Sequence, residues 1–396
     1  MNTVSRCPTC GKPLVESGCP VCDTRLSGEV RGQLIRLSVL VVLTVAAFFL
    51  TRAVAGGNDE VRKRQAAAWF AAAERANDQA DGDAAVAAFR RAVSRAPNNA
   101  SYRLALAGAL TARHQNAEAR RVLLALRELQ PDDPATNIQL ARLEATGADV
   151  DVVRRYYQAA LAGLWRPNET DDQSRIRLEL VDFLLQHGER ARALSELLQF
   201  NAAAAHDAAL RTRAARLFLS AGEPRRALAL FESVLISDRG STAALAGAGD
   251  AAFQLADYRL AMRYLDAAER DVEPSVNHQV VRLVLSADPL EPRLSAAERN
   301  RRLRVALDRA GEQLEVCLAA SDPAPPTLEA LRGEWQALDS QSPPNSRRDL
   351  RDTVDAFDLV LRIADSIAGQ CPSQKTTPLD RALVLIGRKH GFDERP

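Results

Sequence analysis

The sequence predicts an all-α protein: a solenoid of helix pairs closed by further helices, preceded by a small cysteine-rich module and one long apolar helix. Three observations carry this expectation. Alanine-rich amphipathic stretches recur every 34 residues between about 66 and 275. A single uncharged apolar run stands near the N-terminus, and four of the six cysteines fall in the first 22 residues as two CxxC pairs.

The first element is "CPTCGKPLVESGCPVC", residues 7 to 22. Cys7 and Cys10 enclose two residues, Cys19 and Cys22 enclose two, and the eight residues between the pairs suffice for a hairpin that brings four thiolates to one centre. Zinc takes such ligands tetrahedrally at about 2.3 Å, and a closed four-sulfur shell leaves no position for substrate, so the metal is structural. Pro8 and Pro20 follow the first cysteine of each pair and Gly11 follows Cys10, a tight turn that aims backbone amides at sulfur. These residues resemble the bacterial zinc-ribbon family over Cys7 to Cys22 only, with a spacer shorter than the usual ribbon, which implies a minimal two-knuckle version within residues 1–30. A thioredoxin-like pair needs one CxxC in a βαβ context, which the sequence lacks; two disulfides are the remaining alternative. So short a segment buries too little core to fold alone, and metal binding, worth about 10–16 kcal/mol in comparable peptides, would supply its folding energy. Iron takes the same four sulfurs, so zinc is the expected ion and iron its rival.

The second element is "LIRLSVLVVLTVAAFFLTRAVAGG", Leu34 to Gly57. Its uncharged centre, Leu37 to Thr51, rises only about 22 Å as a helix, against about 30 Å of hydrocarbon. Arg36 and Arg52 stand at its ends, and long cationic side chains snorkel to headgroups, which brings flanking apolar residues into the span. The run therefore reads as a transmembrane helix over 34–57 in contact with membrane lipid. A core helix would carry a polar face. A cleaved signal peptide, suggested by Ala53-Val54-Ala55, would have to carry the metal site in its leading region. Arg25, Arg31 and Arg36 before the helix nearly balance Arg52, Arg62, Lys63 and Arg64 after it. The thiols break the tie, because they stay reduced in the cytosol. The expected topology is single-pass in a bacterial inner membrane, with the cysteine module cytoplasmic and the long C-terminal part periplasmic. A wholly cytosolic soluble part stays open.

The third element is the repeat. Blocks begin at Ala66, Ala100 and Pro134 and, after a six-residue insertion at Asn168 to Gln173, at Ser174, Ala208 and Thr242. A small slot in the first helix holds Ala73, Ala107, Ala141, Val181, Ala215 and Gly249. Ala85, Ala119, Val153, Ala193, Ala227 and Ala261 fill a small slot in the second helix, followed four positions on by Phe89, Leu123, Tyr157, Leu197, Phe231 and Leu265. Alternating small and large residues let paired helices interlock. With Trp69, the closing Pro97, and the turns "HQNAEA" at 114–119 and "GEPRRA" at 222–227, this pattern resembles the tetratricopeptide repeat. Units three and six depart from it, with Trp165 and Glu273 where the closing proline belongs.

The resemblance implies a tetratricopeptide-type α-solenoid over 66–275, about six repeats, that binds a protein or peptide partner on the face lined by first helices. One column facing that groove is expected to be Glu74, Gly108, Arg142, Asp182, Arg216 and Asp250; a second is Phe70, Leu104, Ile138, Leu178, Thr212 and Ala246. Alternating charge beside an apolar column suits a peptide or a partner helix. The Lys and Asn of the family's carboxylate-clamp subgroup are replaced at these positions.

Beyond Pro274 the repeat fades while helical periodicity continues in roughly 276–286, 295–319, 328–338, 348–368 and 378–390, an all-helical cap over 276–396. Cys317 and Cys371 fall near the ends of two of these helices. They form a disulfide if the region lies outside the cytosol, or a reduced buried pair if it does not.

Composition narrows the function. A net charge of +1 gives no electrostatic footprint for nucleic acid. The five histidines are scattered outside any paired metal motif, and no phosphate loop, nucleophile elbow or dinucleotide fingerprint occurs. "GAGD" at 247–250 lies inside a helix pair and reads as packing. The expectation is a membrane-anchored interaction scaffold, not an enzyme, with no small-molecule substrate. Its rival is a nucleic-acid-binding ribbon resting on Arg6, Lys12 and Arg25, with the solenoid as sensor or oligomerisation arm.

Overall fold

A computed structural model of the protein describes residues 5–15, 18–19, 21–147, 149–200, 207–270, 273–321, 323–340 and 350–392. Pro20, His206 and the start of the helix expected at 348 lie outside them, as do the side chains of Arg25, Arg31 and Ala53 to Ala55. The described residues form seventeen α-helices and one 3-10 turn, with two isolated β-bridges and no strand. The protein is all-α. It divides into two compact units, Met1–Thr146 and Gly147–Pro396.

The first unit begins with α1, Cys22–Asp78, a continuous helix of 57 residues that rises about 85 Å. The cysteine module, the apolar run and the first repeat helix are thus not three separate elements: the last cysteine is the first residue of the same rod. Packing follows chain order through α2 (Gly82–Arg95), α3 (Ala100–Ala112), α4 (Asn116–Leu129) and α5 (Pro134–Glu144), with α5 also against α3. Side-chain caps start several of these helices. Asp81, Asn99 and Asp133 accept hydrogen bonds from the backbone amides of Ala84, Tyr102 and Thr136, satisfying donors that have no partner inside the helix. The small residues Ala73, Ala107, Ala141, Ala85 and Ala119 are fully buried, so neighbouring backbones approach closely while Phe89 and Leu123 fill the spaces between.

The second unit opens with α6 (Val150–Ala162). Trp165, in place of the closing proline, donates from its indole nitrogen to the carbonyl of Ala160 at 2.9 Å and so finishes α6 by another route. The six-residue insertion becomes a 3-10 turn, Pro167–Glu169, and the opening of α7 (Thr170–Gln186), which has 17 residues. The pairs continue as α8 (Arg190–Leu197), α9 (Ala208–Ser220), α10 (Pro224–Ser237), α11 (Thr242–Gln254) and α12 (Tyr258–Ala268). The closing region is α13 (Val276–Ala287), α14 (Ala296–Ala319), α15 (Pro326–Ser340), α16 (Leu350–Gln370) and α17 (Pro378–Lys389). Its core joins that of the last repeat without a break: Leu265 and Tyr258 pack in one cluster with Val284, Leu314, Phe357, Ile363 and Ile386. The unit's apolar end is thereby covered.

The turns carry the period in their backbone. Ala80 and His114, and again Gly188, Gly222 and Ala256, stand one repeat apart, with two repeats and the insertion between His114 and Gly188, and all have positive φ between 57° and 76°. This left-handed residue ends one helix and redirects the chain into the next. At Gly222 a β-carbon would displace the guanidinium of Arg190, whose Nε donates to the Ala221 carbonyl at 2.6 Å.

Candidate metal centre and repeat faces

The four N-terminal sulfurs lie within 4.8 Å of one another. Cys7 and Cys22 are 3.9 Å apart and Cys10 and Cys19 are 3.4 Å apart, sulfur to sulfur. A tetrahedral shell with bonds of about 2.3 Å places its sulfurs about 3.8 Å apart, so the residues fit a metal ion of zinc size. Local backbone bonds build this arrangement. The Gly11 amide donates to the Cys7 carbonyl at 2.9 Å, the Cys7 amide to Lys12 at 2.8 Å, and the Leu14 amide to Ser5 at 2.9 Å. Gly11, at φ 70°, makes the reversal that any β-branched residue would resist. Val15 and Gly18 exchange two backbone bonds and turn the chain back toward Cys19.

The electrostatics of the cluster suit a cation. Backbone amides of Cys10 and Thr9 bring the Cys7 thiol down to about 6. The neighbouring sulfurs of Cys10 and Cys19 push Cys22 up to about 12. The first thiolate forms readily and the last is resisted, because four negative sulfurs this close need a positive centre. Cys22 is also the first residue of α1, so the cluster sits at the start of that helix. Four protein ligands would leave a bound ion no open position, so the site can hold structure together but cannot activate water.

The predicted groove residues fare unequally. In the first unit Glu74 and Arg142 are exposed and Leu104 and Ile138 half-buried. Phe70 is spent on packing: its ring stacks on Tyr102 at 4.7 Å and meets Phe89 edge-on at 5.4 Å. In the second unit Arg216 is exposed, while Leu178 is fully buried on α7 and cannot touch a partner. Thr212 is also buried, its hydroxyl donating to the Ala208 carbonyl. Asp182 is held by Arg213, and Asp250 accepts from Asn277 at 2.8 Å. At Phe70, Leu178 and Thr212 the apolar column packs inside the protein, and an apolar residue there reads the same in sequence whether it lines a groove or a core.

The residues that lock neighbouring helices together escaped the sequence reading. Arg90 grips Glu118 at 2.7 Å, Tyr157 donates to Glu179 at 2.7 Å, Arg177 meets Glu196 at 2.8 Å and Tyr264 donates to Glu232 at 2.8 Å. These partners stand 19 to 32 residues apart, in neighbouring helices, a signal visible only once the register is known. At the end of the last repeat the buried His278 lies 2.9 Å from Asp266 and 2.8 Å from Glu269, a polar clasp where the proline is missing. The sulfurs of Cys317 and Cys371 are at bonding distance, with Cα atoms 5.9 Å apart, tying the end of α14 to the loop after α16.

This geometry has relatives among known proteins. Residues 76–143 match the tetratricopeptide-repeat family. That span holds α2, α3, α4 and nearly all of α5, so the tetratricopeptide assignment is direct there. No curated protein matches the chain. Solved structures similar to it include a thermophilic tetratricopeptide-repeat protein of Thermus thermophilus, at 20% identity over 51% of this chain and 98% of that one, TM-score 0.30. A tetratricopeptide-repeat protein of Parabacteroides merdae matches at 13% identity over 61% and 91%, TM-score 0.39. YrrB, described as a tetratricopeptide-repeat protein with an unusual peptide-binding site, matches at 18% identity over 46% and 91%, TM-score 0.36.

Proposed function

We propose that the protein is a single-pass membrane scaffold of a bacterial inner membrane. In this reading a zinc-stabilised N-terminus lies in the cytoplasm, α1 crosses the bilayer, and the tetratricopeptide-type repeats hold a protein or peptide partner outside the cytosol without catalysing a reaction. The observation that carries the reading is the surface of α1. Residues Gly32–Arg52 have a mean hydropathy of 2.4 and none of that stretch is buried against the protein. Twenty-one helical residues rise about 31 Å, the thickness of the hydrocarbon layer. An apolar surface on every side of a helix is stable in lipid and costly in water. The flanks of the short uncharged centre therefore complete the span.

Two further features support the same reading. The thiol cluster before the span suits a reducing compartment, whereas the Cys317–Cys371 bridge after it suits an oxidising one. Of the expected groove residues, Glu74, Arg142 and Arg216 are exposed and Leu104 and Ile138 half-buried, a mixed apolar and charged set. Metal analysis of the purified chain decides between zinc and iron.

Crosslinking in intact cells followed by affinity purification tests the scaffold reading. A specific partner should be captured by the native chain and lost with Arg142→Glu plus Arg216→Glu. Recovery of the same partner, undiminished, from the charge-reversed chain would remove these faces from the account.

A further inference from the structure

Within the first unit, α2, α3 and α4 leave between them an open groove of about 390 Å³. Two of these, α2 and α4, are successive second helices of the repeat, and the lining shares no residue with the columns expected on the first helices. The walls carry short side chains: Val93 on α2, and Val122 and Ala125, three residues apart on α4. Leu106 of α3, buried, forms the floor. The trough is therefore apolar along its length.

The charge around it is uneven. Glu118 contributes one carboxylate, and Arg90 of α2 already neutralises it through two bonds of 3.2 and 2.7 Å. Arg103 of α3 and Arg121 of α4 add two guanidinium groups to the lining. Neither has a side-chain hydrogen bond or ion pair among the described residues, and Arg121 is exposed while Arg103 is half-buried. A guanidinium in that state can grip a carboxylate at two points, a geometry that a water shell does not offer.

We propose that this groove docks an acidic peptide segment of a partner protein. One large apolar side chain enters between Val93, Val122 and Ala125, and flanking carboxylates pair with Arg103 and Arg121. Apolar burial supplies affinity, and the unlike charge selects acidic segments over neutral ones. The surface is additional to the first-helix faces and does not depend on the membrane reading.

The test is fluorescence anisotropy with the full chain in phosphatidylcholine nanodiscs, empty nanodiscs subtracted. The probe is a fluorescein-labelled peptide with a central Leu-Phe pair flanked on both sides by Glu and Asp; the comparison carries Gln and Asn in their place. Saturable binding is expected for the acidic peptide, with the amide peptide weaker by at least about tenfold. Arg121→Glu should weaken the acidic peptide by at least about fivefold, and by about thirtyfold when Arg103→Gln is added, at an unchanged melting temperature. Ala125→Phe, on an exposed position, should abolish binding by filling the groove, whereas Arg216→Glu on a first helix of the second unit should leave it intact. Absence of saturable binding up to about 1 mM, equal binding of the two peptides, or full retention in the double arginine variant would each overturn the proposal. Displacement of the peptide by phosphatidylglycerol vesicles but not by phosphatidylcholine vesicles would also overturn it, by assigning the groove to anionic lipid.

Discussion

Glycines show how much one methyl group means in this fold. A β-carbon on Gly247 would stand 2.2 Å from the Phe231 ring, and one on Gly249 would stand 2.6 Å from Leu265. "GAGD" is therefore a place of close approach between α11 and the second helices on either side, as its position within a helix pair suggested. Gly108, inside α3, has nothing within 4 Å of its missing β-carbon. Gly247→Ala should destabilise the protein by about 1–3 kcal/mol through overpacking. Gly108→Ala should stabilise it by about 0.5–1 kcal/mol through backbone entropy alone. Denaturant titration of the two variants checks both signs. The small and large slots were legible in the sequence because their chemistry recurs at fixed spacing. Leu178 was expected on the groove and is buried for a different reason: exposure depends on which neighbour covers a helix face, and a hydrophobic residue does not declare its neighbour.

At the scale of elements, turns and helix ends decide the architecture. Ala256 adopts φ 58° between α11 and α12, where Gly188 and Gly222 hold the equivalent place in earlier turns. A β-carbon in that conformation costs about 1–2 kcal/mol, so Ala256→Gly should raise stability by about 1 kcal/mol, read as a higher melting temperature. The insertion before α7 was legible as an interruption of the period, but its conversion into a 3-10 turn and an extended helix was not. The closing helices were legible almost residue by residue, because prolines and amphipathic period mark them. Their docking was hidden in long-range pairs. Asp288, 1% exposed after α13, is bonded to Lys389 at 2.7 Å and His390 at 2.9 Å at the end of α17. Burial pushes the Asp288 carboxyl up, but the Lys389 ammonium, His390 and the Leu290 amide outweigh it and hold it below the usual range. The carboxylate's contribution is then fully present above the unfolded value of about 3.9 and is lost as pH falls through the lower folded value. Asp288→Asn should cost about 3 kcal/mol at neutral pH and flatten the acid limb of the stability profile, measured by denaturant titration from pH 7 to 2.

For the whole molecule, one long helix joins chemistries that belong to different surroundings. α1 starts at one of the four clustered cysteines, passes through an unburied apolar stretch and ends inside the first repeat. The four cysteines announced their cluster through spacing alone, whereas the continuity of the rod follows from uninterrupted helical sequence across Gly56 and Gly57, where a break would be the simpler guess. The central claim is that the thiol cluster and the repeats lie on opposite sides of a membrane. Its most direct test is labelling of intact cells with a membrane-impermeant maleimide, using Arg239→Cys at the exposed turn after α10 in a chain carrying Cys317→Ser and Cys371→Ser. The account predicts labelling before lysis; labelling only after lysis would contradict it and put cysteine cluster and repeats in one compartment.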